Sequence, residues 1–131
     1  MKVKQCFLNS EFVLAINVWS QNEAANLFNA QLEFNPQNLE VVRIEKGTVL
    51  TTWAESSFDN SKGEISLVAG RPNPGLKTTQ GNDPLMARII FKCKTIGNTV
   101  ITMTGESGIY SNRDNTNIMS GLISAPVVIR Q

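Results

Sequence analysis

The sequence contains no histidine, and this absence narrows the chemistry that the protein can perform. Histidine is the usual general base at neutral pH and the commonest transition-metal ligand. The eleven Asp and Glu residues are scattered along the chain, whereas glycoside hydrolysis needs two carboxylates at a defined spacing in one cleft. The sequence also lacks a Ser or Cys nucleophile motif and a Gly-rich phosphate loop. We therefore expect no enzymatic activity.

An excess of one charge and long apolar runs are also missing. Twelve Lys and Arg residues against eleven Asp and Glu give a net charge of +1, which does not indicate a nucleic-acid partner. No apolar stretch approaches the roughly 18 residues that span a bilayer. Residues 1–8 are too short and too polar a segment for a signal peptide. We expect a module taken from a longer protein.

Cysteine is scarce, since Cys6 and Cys93 are too few for a disulfide scaffold. Cys93 is in phase with Ala87, Ile89 and Phe91, which predicts that it points into the core. Because Cys is often buried as a small hydrophobic residue, we expect two buried thiols. The alternatives are a bridge between the first strand and a late strand, and a reactive thiol, for which no neighbour would lower the pKa.

Alternation of apolar and polar residues dominates what is present, and residues 27–34 show it most strictly. A period of two residues is typical of a strand with one buried and one solvent-facing side. The Asn-Pro-Gln-Asn segment that follows ends this strand, because Pro cannot donate to a sheet and Asn favours turns. The predicted buried side holds Phe28, Ala30, Leu32 and Phe34, and the predicted solvent side holds Leu27, Asn29, Gln31 and Glu33.

Similar segments recur between turn signals, without a convincing helix. Segment 11–19 is apolar on both sides and is predicted to be a central strand, whereas 125–129 is predicted to be an edge strand. Residues 55–63 are rich in turn-forming residues and are predicted to be a turn, and residues 105–121 are predicted to be a loop-rich insertion. These features favour an all-β sandwich of about nine strands in a single domain over residues 1–131. The predicted strands are 3–8, 11–19, 27–34, 39–44, 48–53, 64–69, 86–94, 99–104 and 125–129.

Four segments along the chain resemble one known family in their order and spacing. Residues 34–47 read Phe-Asn-Pro-Gln-Asn-Leu-Glu-Val-Val-Arg-Ile-Glu-Lys-Gly, an aromatic-Asn-Pro corner, a Leu-Glu-Val-Val strand and a closing Gly. Residues 60–67 form a turn into a strand, residues 85–97 an alternating Ile/Phe strand with a Gly turn, and residues 114–119 a late loop. Together they resemble a cohesin module of the carbohydrate-binding-module superfamily, which implies a jelly-roll-like β-sandwich of cohesin type.

The resemblance to cohesins implies a non-catalytic recognition module of a secreted or cell-surface bacterial protein. Its implied partner is a dockerin or dockerin-like protein module, which carries the calcium of such pairs, so this chain is expected to need no cofactor. Where cohesins usually carry Asn and Asp against the dockerin, this chain has Leu27 and Asn29, and Asn35 replaces the usual Asp of the corner. The cohesin strand order would gather the predicted partner-binding residues on one flat face: Asn29, Gln31, Glu33, Glu64, Ser66, Val68 and Thr102.

Other ligands and roles have weaker support in the sequence. Residues 111–117 offer oxygen atoms of the kind that bind calcium, but Asp114 is the only acidic residue there and Arg113 is adjacent, so a solvated turn is expected. Sugar binding needs a coplanar aromatic platform, and Trp19, Trp53 and Tyr110 lie on separate segments. The main alternative function is a structural or adhesive surface module without a dockerin partner, followed by a carbohydrate-binding module.

Overall fold

The structure, a computed structural model, describes residues 3–18, 20, 23–78, 84–119 and 121–131. Its regular elements are ten β-strands, which confirms the predicted all-β fold with one strand more than expected. No helix in these residues is long and apolar enough to cross a membrane. The strands are β1 (Lys4–Phe7), β2 (Glu11–Asn17), β3 (Ala25–Glu33), β4 (Leu39–Lys46), β5 (Thr52–Asp59), β6 (Glu64–Gly70), β7 (Leu85–Cys93), β8 (Gly97–Met103), β9 (Gly108–Ser111) and β10 (Ser124–Arg130).

The strands form two sheets that pack face to face. The larger sheet has seven strands in the order β1-β10-β8-β3-β6-β5, with β9 also paired to β3, and the smaller has the order β2-β7-β4. Strand β1 runs parallel to β10, and the other pairs are antiparallel. Strand β3 is paired along most of its length, because β6 covers one edge while β9 and β8 share the other. This position makes β3 the centre of the larger sheet.

The core lies between the sheets and contains the apolar side of β3. Phe28 and Leu32 are buried, as are Ala30 and Phe34, so the predicted orientation of β3 is confirmed. The Phe34 ring meets Phe91 of β7 edge-on, with their centroids 5.5 Å apart. Since alternate residues of a strand point to opposite sides, this packing fixes the other set of β3 side chains on the outer face of the sheet.

Two strand positions differ from the sequence prediction. Among the described residues, strand β2 pairs only with β7 and is an edge strand, so the prediction of a central strand is wrong. Its outward residue Val13 is 45% exposed, and apolar side chains of this kind are common on protein surfaces. Strand β10 lies between β1 and β8 and is not an edge strand, because β1 adds in parallel to its other side. Trp19, at the end of the predicted strand 11–19, lies outside the described residues.

Three further predictions fail in part because tertiary pairing overrides local turn propensity. Residues 52–59 form β5, so the predicted strand 48–53 is right only at 52–53, and the predicted turn at 55–63 is confirmed only for residues 60–63. Strand β5 pairs with β6 from Thr52 to Asp59, and its polar side chains suit an exposed edge strand. The predicted loop 105–121 contains β9, which pairs with β3.

Cys6 and Cys93 form a disulfide that joins the two sheets, so the prediction of two buried thiols is wrong. Cys6 lies on β1 of the larger sheet and Cys93 ends β7 of the smaller one, with their Cα atoms 6.5 Å apart. Both residues are buried, as the alternation around Cys93 predicted. The pairing depends on the parallel addition of β1 beside β10, which no local pattern in the sequence reveals.

Gly63 closes the tight turn between β5 and β6 and contacts the corner after β3. Its φ of +74° is in the region that side-chain-bearing residues rarely adopt. A Cβ atom there would collide with the carbonyl oxygen of Phe34 and lie 2.9 Å from Cδ of Pro36. The Gly63 carbonyl also accepts a 2.9 Å hydrogen bond from the Phe34 backbone N–H. The turn therefore holds the corner in place.

We expect Gly63→Ala to lower the free energy of unfolding by about 2–3 kcal/mol, from the left-handed backbone and a weakened hydrogen bond. Urea denaturation measures this loss. The matched control is Gly105→Ala, where an added Cβ meets nothing within 4 Å, and its effect should stay within about 0.5 kcal/mol. Equal losses in the two variants would contradict a specific role of the turn.

Candidate functional site

The predicted partner-binding residues lie together on the outer face of the larger sheet. Gln31 of β3 stands opposite Ser66 of β6, and Asn29 stands opposite Val68. Glu33 is paired with Glu64 on one side and with Thr102 of β8 on the other. None of these residues belongs to the buried core. We call the outward surface of β3, β6, β5 and the Thr102 end of β8 the polar face.

A concavity of about 540 Å³ opens in the polar face. Five of the predicted residues line it, whereas Val68 and Thr102 lie on the same face outside it. Its lining residues come from β3, β5, β6 and the segment after β8, and most of them are polar, while Leu32 and Ile65 belong to the buried core. The lining residues are Asn29, Gln31, Leu32, Glu33, Glu55, Ser57, Phe58, Asp59, Glu64, Ile65, Ser66, Thr104 and Glu106.

Hydrogen bonds order the amide side chains in the middle of the polar face. The Gln31 Nε2 group donates to Oδ1 of Asn29 at 2.6 Å and to Oγ of Ser66 at 2.9 Å. The Asn29 Nδ2 group in turn donates to the Glu106 carbonyl at 3.2 Å. Side chains held in this way lose less conformational entropy when a partner binds. The arrangement suits recognition by preformed polar contacts.

Ser107 holds the backbone of β3 where its pairing changes from β8 to β9. The buried Ser107 Oγ accepts a 2.9 Å hydrogen bond from the Gln31 N–H and donates to the Gln31 carbonyl at 3.3 Å. These bonds replace the strand pairing that is missing between the end of β8 and the start of β9. The backbone under Gln31 is thereby fixed.

Sequence reasoning missed the acidic residues that complete the concavity, Glu55 and Asp59 on β5 and Glu106 after β8. The first two fall in the segment that was predicted to be a turn, although Glu55, Ser57 and Asp59 alternate at strand spacing. Hydrogen bonds from the Ser61 hydroxyl and from the backbone N–H groups of the turn lower the pKa of Asp59. Asp59 therefore both shapes the turn after β5 and adds a negative charge to the polar face.

The candidate calcium loop is held together by its own side chains. Asp114 Oδ1 accepts hydrogen bonds from the Thr116 hydroxyl at 2.7 Å and the Thr116 N–H at 3.2 Å, and these bonds lower the pKa of Asp114. Arg113 lies 3.3 Å from Glu23, which also accepts a bond from Ser111. Within the described ranges, no three His, Cys, Asp or Glu residues group to hold a metal. That the chain needs no metal stays a prediction.

The candidate aromatic residues for sugar binding are distant in the sheet. Trp53 stands opposite the buried Ala69, and its indole Nε1 is buried. Tyr110 stands on β9 opposite Leu27, so β3 and β6 separate it from β5. Trp19 lies outside the described residues. Trp53 and Tyr110 therefore do not form a common stacking platform.

The sequence matches no protein-family model and no curated protein. The structure, in contrast, resembles solved cohesins. The third cohesin of ScaC from Acetivibrio cellulolyticus, solved with the ScaB dockerin, has a TM-score of 0.80 at 16% identity, covering 98% of this chain and 95% of that one. A non-cellulosomal cohesin from the archaeon Archaeoglobus fulgidus has a TM-score of 0.76 at 14% identity, covering 98% and 87%.

A further similar structure is the seventh ScaB type I cohesin from Pseudobacteroides cellulosolvens. Its TM-score is 0.72 at 16% identity, with 97% of this chain and 87% of that chain covered. These likenesses extend over nearly the whole chain and agree with the two-sheet arrangement of its ten strands. The chain therefore has the fold of a cohesin module.

Proposed function

We propose that this chain is a non-catalytic recognition module that docks a dockerin or dockerin-like protein module through its polar face. The observation that carries the proposal is the preformed face itself, in which Asn29, Gln31 and Ser66 are joined by hydrogen bonds on the central strands β3 and β6 of the sheet. Such a surface, polar and ordered beforehand, suits a wet protein interface. The similar ScaC cohesin was solved in complex with a dockerin, which supports the choice of partner.

A secreted or cell-surface location fits this proposal. The disulfide between Cys6 and Cys93 would persist in an oxidising compartment and be reduced in most cytosols. We further propose that residues 1–131 fold as one domain, since the core between the two sheets includes residues from β1 to β10. No second function is favoured over docking by the described residues.

Docking predicts that Asn29→Ala combined with Gln31→Ala weakens capture of a dockerin about tenfold, since central polar contacts of an interface carry much of its affinity. The measurement is titration calorimetry with dockerin modules encoded in the genome of the source organism. Thermal stability should change little, because both side chains lie on the outer face.

The matched control replaces the same two residue types elsewhere on the same sheet. Gln5→Ala with Asn98→Ala alters exposed positions on β1 and β8 that flank Val128, outside the polar concavity. This pair should leave the affinity unchanged. Unaltered capture by the Asn29 and Gln31 variant would rule out the polar face as the docking surface, and binding of none of the dockerins would favour a structural or adhesive module.

A further inference from the structure

We infer that the polar face selects a partner whose contacting surface is basic and rich in hydrogen-bond donors. This rests on the proposed docking function and states the chemistry of the protein surface that would fit. Two separate features of the face lead to it. One is the negative charge of the face. The other is that most of its hydrogen-bond donors already bind acceptors within the face.

Five of the eleven acidic residues of the chain line the concavity, and its described lining contains no Lys or Arg. Since the whole chain carries a net charge of +1, negative charge is concentrated here. Glu64 stands directly between Asp59 on β5 and Glu33 on β3. Like charges opposite one another in antiparallel strands repel, and cationic groups from a partner would relieve this repulsion.

The hydrogen-bond donors of the face are largely engaged with neighbouring acceptors. Both protons of the Gln31 Nε2 group point to acceptors, Asn29 Oδ1 and Ser66 Oγ. Asn29 donates to the Glu106 carbonyl, and the Ser57 hydroxyl donates to Glu55 at 2.8 Å. The Ser66 and Thr104 hydroxyls accept bonds from Gln31 and from the Glu106 N–H and keep their own protons, and most of the other polar atoms left to a partner are carboxylate oxygens. A fitting partner must therefore supply donors, and Lys and Arg side chains supply about three and five each.

Apolar side chains flank the acidic centre along the same outer surface. Leu27 is 39% exposed on β3 beyond Asn29, and Val68 stands beside Asn29 on β6. Val100 of β8 is 43% exposed, two residues along the strand from Thr102. Apolar contacts at the flanks would add affinity, whereas charge in the centre would set selectivity and the rate of association. The matching partner surface has a basic middle and apolar ends.

The test titrates the whole chain with two synthetic amphipathic helical peptides of equal length, one bearing Lys and Arg and the other Glu. We expect the basic peptide to shift the NMR signals of the Asn29 and Gln31 side-chain amides. Its affinity should fall at least about fivefold between about 0.05 M and about 0.3 M NaCl, because salt screens exposed charges. The acidic peptide should leave these signals in place. Equal shifts with both peptides, or none with the basic one, would overturn the inference.

Charge-neutralising variants locate the effect on the polar face. Glu33→Gln with Glu64→Gln should weaken the basic peptide about tenfold. The matched control, Glu11→Gln with Glu45→Gln, removes the same charge from exposed positions on the smaller sheet and should leave the affinity unchanged. Equal weakening by the two pairs would mean that only the overall charge matters, and the inference would fall.

A steric variant separates this inference from the docking function. Ser66→Trp places a large side chain in the centre of the concavity and should abolish dockerin capture. If it does so while Glu33→Gln with Glu64→Gln leaves dockerin affinity unchanged, the docking function stands and the preference for a basic partner is wrong. If Ser66→Trp leaves capture intact, the dockerin docks elsewhere on the chain, and docking through the polar face fails whatever the peptides show.

Discussion

Replacing both bridged cysteines, Cys6→Ala with Cys93→Ala, should lower the free energy of unfolding by about 4–5 kcal/mol. The disulfide joins residues 87 positions apart and restricts the conformations of the unfolded chain. Without this cross-link the unfolded chain has a higher conformational entropy, which favours unfolding. Single domains are stable by only about 5–15 kcal/mol, so the loss is a large part of the total. Urea denaturation of the variant and the oxidised native sequence measures the difference.

The loss of stability should be largest at β1, because this strand makes few other contacts with the rest of the chain. This four-residue strand is an edge of the larger sheet and, in the part of the chain that the structure describes, pairs only with β10. Amide hydrogen exchange in β1 should therefore accelerate more than exchange in β3 when the disulfide is absent. Reducing the native sequence with a thiol reagent is the control and should reproduce the variant. A variant as stable as the oxidised protein would contradict a structural role for the bridge.

Sequence periodicity predicted the strands that have one buried face. In β3 the alternation of Phe28, Ala30 and Leu32 with polar residues was interpreted correctly, because burial of that face determines both pattern and orientation. Strand β5 was missed because it is an exposed edge strand that is formed by backbone pairing with β6 and has no regular buried face. Its Ser and Asp residues favour turns locally. Strand β9 was missed for a similar reason, since it exists through its pairing with β3.

The difference between local periodicity and tertiary pairing also explains which residues of the candidate site could be predicted. Asn29, Gln31 and Glu33 follow from the alternation in one strand, and the cohesin resemblance placed Glu64 and Ser66 beside them, where the structure has them. Glu55 and Glu106 come from segments that were interpreted as a turn and a loop, so their convergence depends on tertiary placement. The Cys6–Cys93 bridge was left as an alternative because sequence spacing does not show which strands face each other.

Truncating Phe34 to Ala should destabilise the protein by about 3–5 kcal/mol, the range for removing a buried Phe side chain. Phe34 is 5% exposed and packs edge-on against Phe91, whose ring also stacks on Phe12 with centroids 5.3 Å apart. Removing the Phe34 ring leaves a cavity next to this aromatic group at the corner after β3. Urea denaturation should show a lower midpoint with an unchanged slope, since the fold itself is kept.

The matched control removes the same ring from the surface: Phe7 is 65% exposed, so Phe7→Ala should change stability by no more than about 0.5 kcal/mol. A loss below about 1 kcal/mol for Phe34→Ala would be incompatible with a buried Phe34. The side chains of a strand alternate between its two faces. That result would therefore mean that β3 has the opposite orientation, with Asn29, Gln31 and Glu33 against the core. The stability of this one variant therefore tests the orientation on which the polar face and its proposed partner both depend.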